Sequence, residues 1–187
     1  AEIIYVVNDC GAKTIISSED KIQTIANIRE NTQIENIISF GKKADGIQSF
    51  HSFLAENFSI ERKPNVSSKD LSTIAYTSGT TGHPKGAMQS HEAVILNGSM
   101  MSQLHMRGSD DTVVSALPCP HVYANVLMTG MMLFGTKLVL HKTFEVEAIF
   151  DAIKIHKATI FDGVPTMYMF MLNSPNLKSS KLSSLKR

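Results

Sequence analysis

The chain has 187 residues, of which 43% are hydrophobic and 19% are charged, so it contains enough apolar residues to bury a core. Its 18 basic and 17 acidic residues give a formal net charge of +1, which provides no electrostatic basis for binding nucleic acid or an anionic membrane. The composition therefore excludes a disordered or fibrous chain and does not favour a nucleic-acid partner.

Residues 1–58 alternate helical and extended patterns, an arrangement that is typical of parallel βαβ units. The apolar spacing predicts three helices and two strands, in chain order Glu2–Asp9 (helix), Thr14–Ile16 (strand), Asp20–Glu30 (helix), a strand starting near Ile34, and Ser49–Asn57 (helix). A polar stretch over 59–70 is predicted to be a linker. We therefore expect a small α/β lobe over 1–58, the linker, and a longer third segment over 71–187.

The stretch from Thr73 to His91 carries the most informative pattern in the chain. A β-prone run breaks into residues that are almost all glycine, hydroxyl, proline or lysine, and an apolar segment then resumes. The glycines permit positive φ, and consecutive backbone N–H groups in such a turn form an anion-binding concavity. Hydroxyl groups and a lysine ammonium add further donors. The pattern predicts a polyphosphate site formed by Thr77, Ser78, Gly79, Thr80, Thr81, Gly82, Pro84 and Lys85.

A plain surface loop is the ordinary interpretation of a Gly, Ser, Thr and Pro cluster. Here the cluster lies between two apolar, strand-like runs and includes a lysine, which favours the phosphate site. The pattern is not a Walker A loop, because Pro84 stands where that motif requires its second glycine and Lys85 is followed by Gly86. The residues after the loop also predict a strand before a helix, so a helix N-terminus is not the expected anion site.

The rest of the chain again alternates helices and strands. The predicted elements are His91–Arg107 (helix), Asp110–Leu117 (strand), Val122–Phe134 (helix), Lys137–Leu140 (strand), Val146–His156 (helix), Thr159–Phe161 (strand) and Pro165–Leu172 (helix). The Asp110–Asp111 pair is interpreted as a charged turn and not as a metal site, since no third ligand lies nearby in sequence. Most of the ten methionines are expected to fill the core.

Two features of the sequence bear on location. Cys10 and Cys119 lie far apart without metal-ligand spacing, which indicates free thiols in a reducing compartment. The most apolar stretch, Val122 to Phe134, is too short to cross a bilayer. We therefore expect a soluble, cytoplasmic protein without an integral membrane segment.

The segment Tyr76–Gly86 resembles the signature of the adenylate-forming superfamily, which comprises acyl-CoA synthetases, luciferases and the adenylation domains of peptide synthetases. Glu2–Lys13, Pro118–Tyr123 and Gly163–Tyr168 are similar to further blocks of that family, so the resemblance covers essentially the whole chain. Within the family the chain looks most like a bacterial medium- or long-chain fatty acid–CoA ligase. The resemblance implies an α/β fold of βαβ units with largely parallel sheets, forming part of the large N-terminal domain of such an enzyme.

The resemblance also implies roles for particular residues. The loop would bind the β- and γ-phosphates of ATP, and Thr77 would be a ligand of Mg²⁺. His121 would position the carboxylate of the substrate and not act as a general base, although a lone histidine is more often a capping or core residue. The residues expected to line the acyl pocket are His121, Val122, Tyr123, Gly163, Val164 and Pro165.

The implied reaction joins a fatty acid to ATP, giving an acyl adenylate and pyrophosphate, and then transfers the acyl group to coenzyme A. ATP, Mg²⁺, coenzyme A and the fatty acid are therefore the expected small-molecule partners. In the family the catalytic lysine and the C-terminal domain follow the point that corresponds to Arg187, so the isolated chain is expected to be inactive. Two alternatives stay open: a non-catalytic nucleotide- or phosphate-binding module, and an adenylating enzyme for an aromatic acid or an amino acid.

Overall fold

A computed structural model of the chain describes residues 2–41, 45–55, 64–78 and 82–187. Three residues of the predicted phosphate site, Gly79, Thr80 and Thr81, lie outside the described residues. The chain forms two compact units, residues 1–89 and residues 90–187. The finer division into a lobe over 1–58, a linker over 59–70 and a segment over 71–187 stays a prediction.

The first unit contains a three-stranded parallel sheet with strand order β1-β2-β3. Buried isoleucines from one helix, from one strand and from the positions just before two strands, together with Val7, form its apolar core. The elements in chain order are α1 (Glu2–Asp9), β1 (Thr14–Ser17), α2 (Glu19–Ile28), a 3₁₀ turn (Arg29–Asn31), β2 (Asn36–Ser39), β3 (Gln48–Ser49) and α3 (Phe50–Ala55). The predicted alternation of helices and strands is confirmed here; the two-residue strand β3 was too short to give a periodic signal.

A separate two-stranded sheet in the first unit consists of β4 (Leu71–Thr77) and β5 (Lys85–Ser90). The predicted phosphate loop connects these two strands, so the expected strand after the loop is confirmed. Gly86 lies at the start of β5, where an added Cβ would come 2.7 Å from Ile74 Cγ2 and 3.1 Å from the Tyr76 ring. Glycine at this position therefore lets the two strands pack closely just after the loop.

The second unit contains a three-stranded parallel sheet with strand order β7-β6-β8. Ile149 and Ile153 from one helix pack with Val114 of the central strand in a fully buried core. The elements in chain order are α4 (His91–Leu104), β6 (Thr112–Ser115), α5 (Val122–Phe134), β7 (Lys137–Leu140), α6 (Val146–His156), β8 (Ile160–Asp162) and α7 (Pro165–Leu172). Because the strands are parallel, Ser115 and Asp162 are register partners at the same carboxyl edge of the sheet.

Three elements predicted in this unit have different bounds in the structure. The strand predicted over Asp110–Leu117 is shorter and covers Thr112–Ser115. The helix predicted over His91–Arg107 ends at Leu104, because Met106 adopts a left-handed backbone with φ of 48°. Arg107 therefore leaves the helix and becomes buried. The last strand ends one residue later than predicted and includes Asp162. The changed ends of the helix and of the last strand involve charged residues, whose place in an element apolar periodicity does not indicate.

Helices α4 and α5 cross through small residues. An added Cβ at Gly98 would meet Thr129 Cγ2 at 2.7 Å, and one at Gly130 would meet Ser102 Oγ at 2.7 Å. The two glycines therefore bring the helix backbones close together. In the part of the chain that the structure describes, no helix is long and apolar enough to span a bilayer.

Candidate functional site

The described residues of the predicted phosphate loop are mostly exposed. Thr77 and Ser78 end β4 with exposed side chains, and Lys85 begins β5, also exposed. Lys85 forms no ion pair with any residue among those described, so its ammonium is available to an anion. Gly82 has φ of 96°, a conformation that favours glycine over residues with a Cβ. The loop therefore offers hydroxyls and a cation at the end of a sheet.

Helix α1 holds the two ends of this loop, a feature that the sequence did not reveal. Tyr76 Oη donates a hydrogen bond to Asp9 Oδ2 at 2.5 Å. The ring of His83 stacks on the ring of Tyr5, with centroids 4.9 Å apart and an angle of 23° between the planes. The hydrogen bond to Asp9 raises the pKa of the Tyr76 hydroxyl, so this hydroxyl stays a donor at neutral pH. No local pattern joins residues that are more than 60 positions apart.

The exposed groups of the loop suit the tail of a nucleoside triphosphate and its metal ion. Mg²⁺ is usually held by few protein oxygens, several waters and the phosphate oxygens themselves. In the described part of the chain no three His, Cys, Asp or Glu residues cluster to form a site by themselves. An exposed hydroxyl such as that of Thr77 is compatible with a single-ligand role for such an ion.

His121 caps the N-terminus of helix α5. Its Nδ1 accepts a hydrogen bond from the backbone N–H of Tyr123 at 3.2 Å, and its backbone is extended with φ of −77°. A neutral imidazole that accepts at Nδ1 carries its proton on Nε2, so the ring can donate one further hydrogen bond. The side chain is exposed. The capping role that the sequence left open is therefore real, and it fixes the donor atom of the ring.

The structure joins the two blocks that are predicted to line the acyl pocket. Tyr123 Oη donates a hydrogen bond to Asp162 Oδ1 at 3.1 Å, and Asp162 directly precedes Gly163. Tyr123 and Met167 also pack against the same buried cluster of leucine and alanine side chains. Burial and then the Asp162 carboxylate raise the pKa of Tyr123 to about 12. The remaining predicted pocket residues are half-buried at Gly163 and exposed at Val122, Val164 and Pro165.

Asp162 itself is paired with a buried arginine. Arg107 Nη2 donates to Asp162 Oδ1 at 2.9 Å and lies 2.8 Å from Oδ2. The exposed fractions of the two side chains are only 3% and 4%. Sequence reasoning missed both residues, and the available signal was a lone carboxylate directly after an apolar strand, at the edge where parallel sheets often bind ligands.

The neighbouring acidic pair, Asp110–Asp111, has the structural role that the sequence predicts. Asp111 Oδ1 accepts from Thr159 Oγ1 at 2.7 Å, and Oδ2 accepts from Gly108 N at 3.1 Å and from Arg187 Nη2 at 2.9 Å. Burial alone would raise the pKa of Asp111, but the hydrogen bonds and the nearby positive charges outweigh burial and lower it. Both oxygens of the Asp111 carboxylate are therefore bound within the protein and stabilise the fold.

Parallel α/β sheets and a glycine-, hydroxyl- and lysine-rich loop between two strands define the class of the chain as an α/β protein with a candidate nucleotide-phosphate site. The sequence model of the family described as AMP-binding enzyme matches residues 1–187. The chain belongs to this family of AMP-binding enzymes. The expected fold, α/β with largely parallel sheets as in acyl-CoA synthetase-like enzymes, is confirmed.

Known relatives act on different acids. The chain is 31% identical to an indoleacetate–CoA ligase of Aromatoleum aromaticum, over 95% of the chain and 35% of that enzyme. It is 32% identical to a long-chain fatty acid–CoA ligase of Bacillus subtilis, over 63% of the chain and 21% of that enzyme. An ATP-bound structure of MatB from Rhodopseudomonas palustris superposes with a TM-score of 0.83 at 28% identity, covering 99% of the chain and 36% of MatB. The chain thus spans about a third of the indoleacetate–CoA ligase and of MatB, and the match to the Bacillus subtilis enzyme covers about a fifth of that enzyme.

Proposed function

We propose that the intact protein is an ATP-dependent, AMP-forming acid–CoA ligase whose substrate is a medium- or long-chain fatty acid. The observation that carries the proposal is the exposed Lys85, free of ion pairs with the described residues, beside the exposed hydroxyls of Thr77 and Ser78. ATP-bound MatB, a structural relative over nearly the whole chain, supports the nucleotide part of the proposal.

The loop provides the charge neutralisation that the first half-reaction needs. The acid carboxylate attacks the α-phosphorus of ATP, the α–β phosphoanhydride bond breaks, and pyrophosphate leaves with its electron pair. Two anions must approach each other and negative charge grows on the leaving group, so fixed donors lower the barrier. Lys85 binds the β- and γ-phosphates as a point charge, and the hydroxyls and loop amides donate hydrogen bonds. The proposed loop site comprises Thr77, Ser78, Gly79, Thr80, Thr81, Gly82, Pro84 and Lys85.

Bound Mg²⁺ supplies further neutralisation of the phosphate oxygens, and Thr77 is its proposed protein ligand. Thr77 lies at the end of β4 and has an exposed side chain, so its hydroxyl is accessible. In the second half-reaction the coenzyme A sulfur forms a bond to the acyl carbonyl carbon, the bond from this carbon to the AMP phosphate oxygen breaks, and AMP leaves with that electron pair while the thiol proton passes to solvent. The part of the loop in this proposal is to bind and orient the phosphates.

His121 orients the acid by donating a hydrogen bond. Because Nδ1 is occupied by the backbone N–H of Tyr123, Nε2 is the atom that carries the proton and can donate to a carboxylate oxygen. A donor in this state cannot remove a proton, so positioning is the proposed role and general-base catalysis is not. Tyr123, Val122, Gly163, Val164 and Pro165 complete the proposed acyl pocket.

An aromatic acid is the second candidate substrate. Tyr123 places an aromatic ring near the Gly163 turn, because its hydroxyl donates a hydrogen bond to Asp162, the residue before Gly163. The indoleacetate–CoA ligase of Aromatoleum aromaticum matches more of the chain than the Bacillus subtilis fatty acid enzyme does. The apolar, uncharged helix α5 supports the alkyl substrate instead.

The experiment is acid-dependent pyrophosphate release by the intact protein, followed by detection of the acyl-AMP and acyl-CoA products. The acids are decanoate, hexadecanoate, indoleacetate, 4-coumarate and an amino-acid mixture. We expect turnover with the fatty acids and a strong loss of turnover in Lys85→Met. Lys69→Met, which removes another exposed lysine of the same unit, is the matched control and should leave turnover unchanged.

The outcomes separate the alternatives. Turnover with aromatic acids alone would replace the fatty acid by the second candidate. Binding of ATP without acyl-AMP from any acid would indicate a non-catalytic nucleotide-binding module. If Lys85→Met and Lys69→Met both turned over as fast as the wild type, Lys85 would have no part in the reaction and the proposed phosphate site would be wrong.

A further inference from the structure

The buried ion pair between Arg107 and Asp162 calls for an explanation other than stability. Taking two charges out of water costs several kcal/mol per ion, and apolar residues of similar volume often serve stability equally well. The pair is also incompletely hydrogen-bonded, since Arg107 Nε is buried without a hydrogen-bond partner among the described residues and Asp162 Oδ2 has only its ion-pair contact of 2.8 Å with Arg107 Nη2. A cavity of about 10 Å³ beside Arg107 has room for about one water molecule. Such an arrangement lowers the free energy of unfolding relative to a well-packed apolar core. The carboxylate therefore has a purpose other than stability.

The carboxylate lies at the point where two chain segments meet. Asp162 ends strand β8 at the carboxyl edge of the sheet, and Gly163 begins the turn into helix α7. Its backbone carbonyl accepts from Ser115 Oγ at 2.8 Å, and this hydroxyl also accepts from Leu117 N at 3.2 Å. The main chain at Asp162 is therefore anchored to the end of β6.

The Asp162 side chain extends this anchoring to helix α5. Oδ1 accepts both from Arg107 Nη2 at 2.9 Å and from Tyr123 Oη at 3.1 Å, so one oxygen fixes the orientation of the Tyr123 ring. The Tyr123 hydroxyl has its partner within the protein. The ring therefore presents its apolar part to whatever occupies the space next to it.

We propose that Asp162, held by Arg107, is a positioning residue that locks Tyr123 against the Gly163 turn and thereby sets the selectivity of the enzyme for the acid. This inference deepens the proposed ligase function and rests on it. With the ring locked, the acyl pocket has one width, and acids of different cross-section are discriminated. With the ring released, the pocket tolerates wider acids and holds its preferred acid less well.

The test measures kcat and KM of the intact protein for decanoate, hexadecanoate, indoleacetate and ATP. The variants are Tyr123→Phe, which removes only the hydroxyl, Asp162→Asn, which removes the charge, and Tyr168→Phe as the matched control. Tyr168 loses the same atom from the same region, but its hydroxyl donates to the backbone carbonyl of Phe161 and not to Asp162. We expect Tyr123→Phe to raise KM for the preferred acid about fivefold and to narrow the ratio of kcat/KM between narrow and wide acids by a similar factor. KM for ATP should stay unchanged.

Asp162→Asn should shift acid selectivity in the same direction as Tyr123→Phe, because it removes the charge through which Arg107 holds the partner of Tyr123. If Asp162→Asn does not fold, Tyr123→Phe carries the test alone, since deleting one oxygen keeps the ring and its packing. Selectivity ratios in Tyr123→Phe that equal those of the wild type and of Tyr168→Phe would overturn the inference. A wild type that forms no acyl-AMP from any acid would overturn the proposed function first, and that result is distinguishable because it precedes every variant.

Discussion

The loop between β4 and β5 and the carboxyl end of β8 are both proposed to contact substrate, yet they are built in opposite ways. The loop presents exposed hydroxyls and the exposed Lys85, and helix α1 holds it through Tyr76 and His83. At the end of β8 the polar groups are buried, and Asp162 is already bound to Arg107 and Tyr123.

This difference separates two ways of using polar groups. An exposed cation without a protein partner loses little on binding an anion and gains a full charge–charge contact. A buried carboxylate with two partners has no free binding capacity at Oδ1 and can only hold other groups in place. Substitutions in the loop should therefore change activity with little effect on stability. Substitution of the buried Asp111 should lower stability, and substitutions at Asp162 or Tyr123 should change the selectivity for the acid.

The largest effect is expected for Lys85→Met in the loop. Removing one fixed donor from a developing negative charge typically lowers kcat by about 100-fold, or about 2.7 kcal/mol. Because Lys85 is exposed and has no ion pair with the described residues, the melting temperature should change little. The measurement is acyl-AMP formation together with thermal unfolding, with Lys69→Met as the control. A large drop in melting temperature with unchanged turnover would contradict the assignment of Lys85 to binding.

Asp111→Asn, in the second unit, should instead reduce stability by about 2 kcal/mol, because the carboxylate accepts charge-assisted and neutral hydrogen bonds while only 7% exposed. The pKa of Asp111 is lowered below its ordinary value of 3.8, so the folded state binds fewer protons than the unfolded state. Its contribution is therefore present above pH 3.8 and is lost as the pH falls through the folded-state pKa.

The check on Asp111 is thermal unfolding of the wild type and of Asp111→Asn between pH 7 and pH 3. The gap between their stabilities should be constant near neutral pH and should narrow below pH 4. Asp110→Asn, which changes the exposed neighbour, is the matched control and should show no gap. A gap that widens on acidification would show that the carboxylate is not stabilised in its charged form.

Gly86→Ala tests whether the close packing of β4 and β5 matters for the loop that joins them. The new Cβ would lie 2.7 Å from Ile74 Cγ2, a methyl on a stiff β-branched side chain, so the two strands must separate slightly. Overpacking of this kind costs about 1 kcal/mol, and it should also raise KM for ATP because the loop joins these strands. Gly108→Ala is the control, since its Cβ would meet no atom within 4 Å. Equal stability and equal KM for the two variants would show that the spacing of β4 and β5 does not matter.

Much of the fold followed from local chemistry. The helices Val122–Phe134, Val146–His156 and Pro165–Leu172 begin and end at the predicted residues. Local features mark several of these ends: Gly135 and Lys157 adopt left-handed backbones, and Pro165 opens its helix. The glycine-rich loop could also be predicted, because its glycines, hydroxyls and lysine indicate phosphate binding without knowledge of the tertiary structure.

The partners of polar groups could not be predicted in the same way. Arg107 and Asp162 are 55 positions apart, and only the parallel register of β6 and β8 and the early end of α4 bring them together. Periodicity reports which side of an element is buried, but it does not report which charged residue at an element's end meets which other. The stacking of His83 on Tyr5 could not be predicted for the same reason, since it joins a loop to a helix that is distant in sequence.

The smallest effect is expected for His83→Ala, which tests whether α1 holds the loop in its binding conformation. An aromatic pair contributes about 0.5 kcal/mol at the lower end of its range, and this pair is partly exposed, so KM for ATP should rise about twofold. Tyr5→Ala should give the same rise, and the double variant should add nothing further, because both single changes remove one contact. His156→Ala removes an exposed histidine of the second unit and should leave KM unchanged. Additive effects of the two single variants would mean that His83 and Tyr5 act separately, and the loop would then not depend on α1 through this stack.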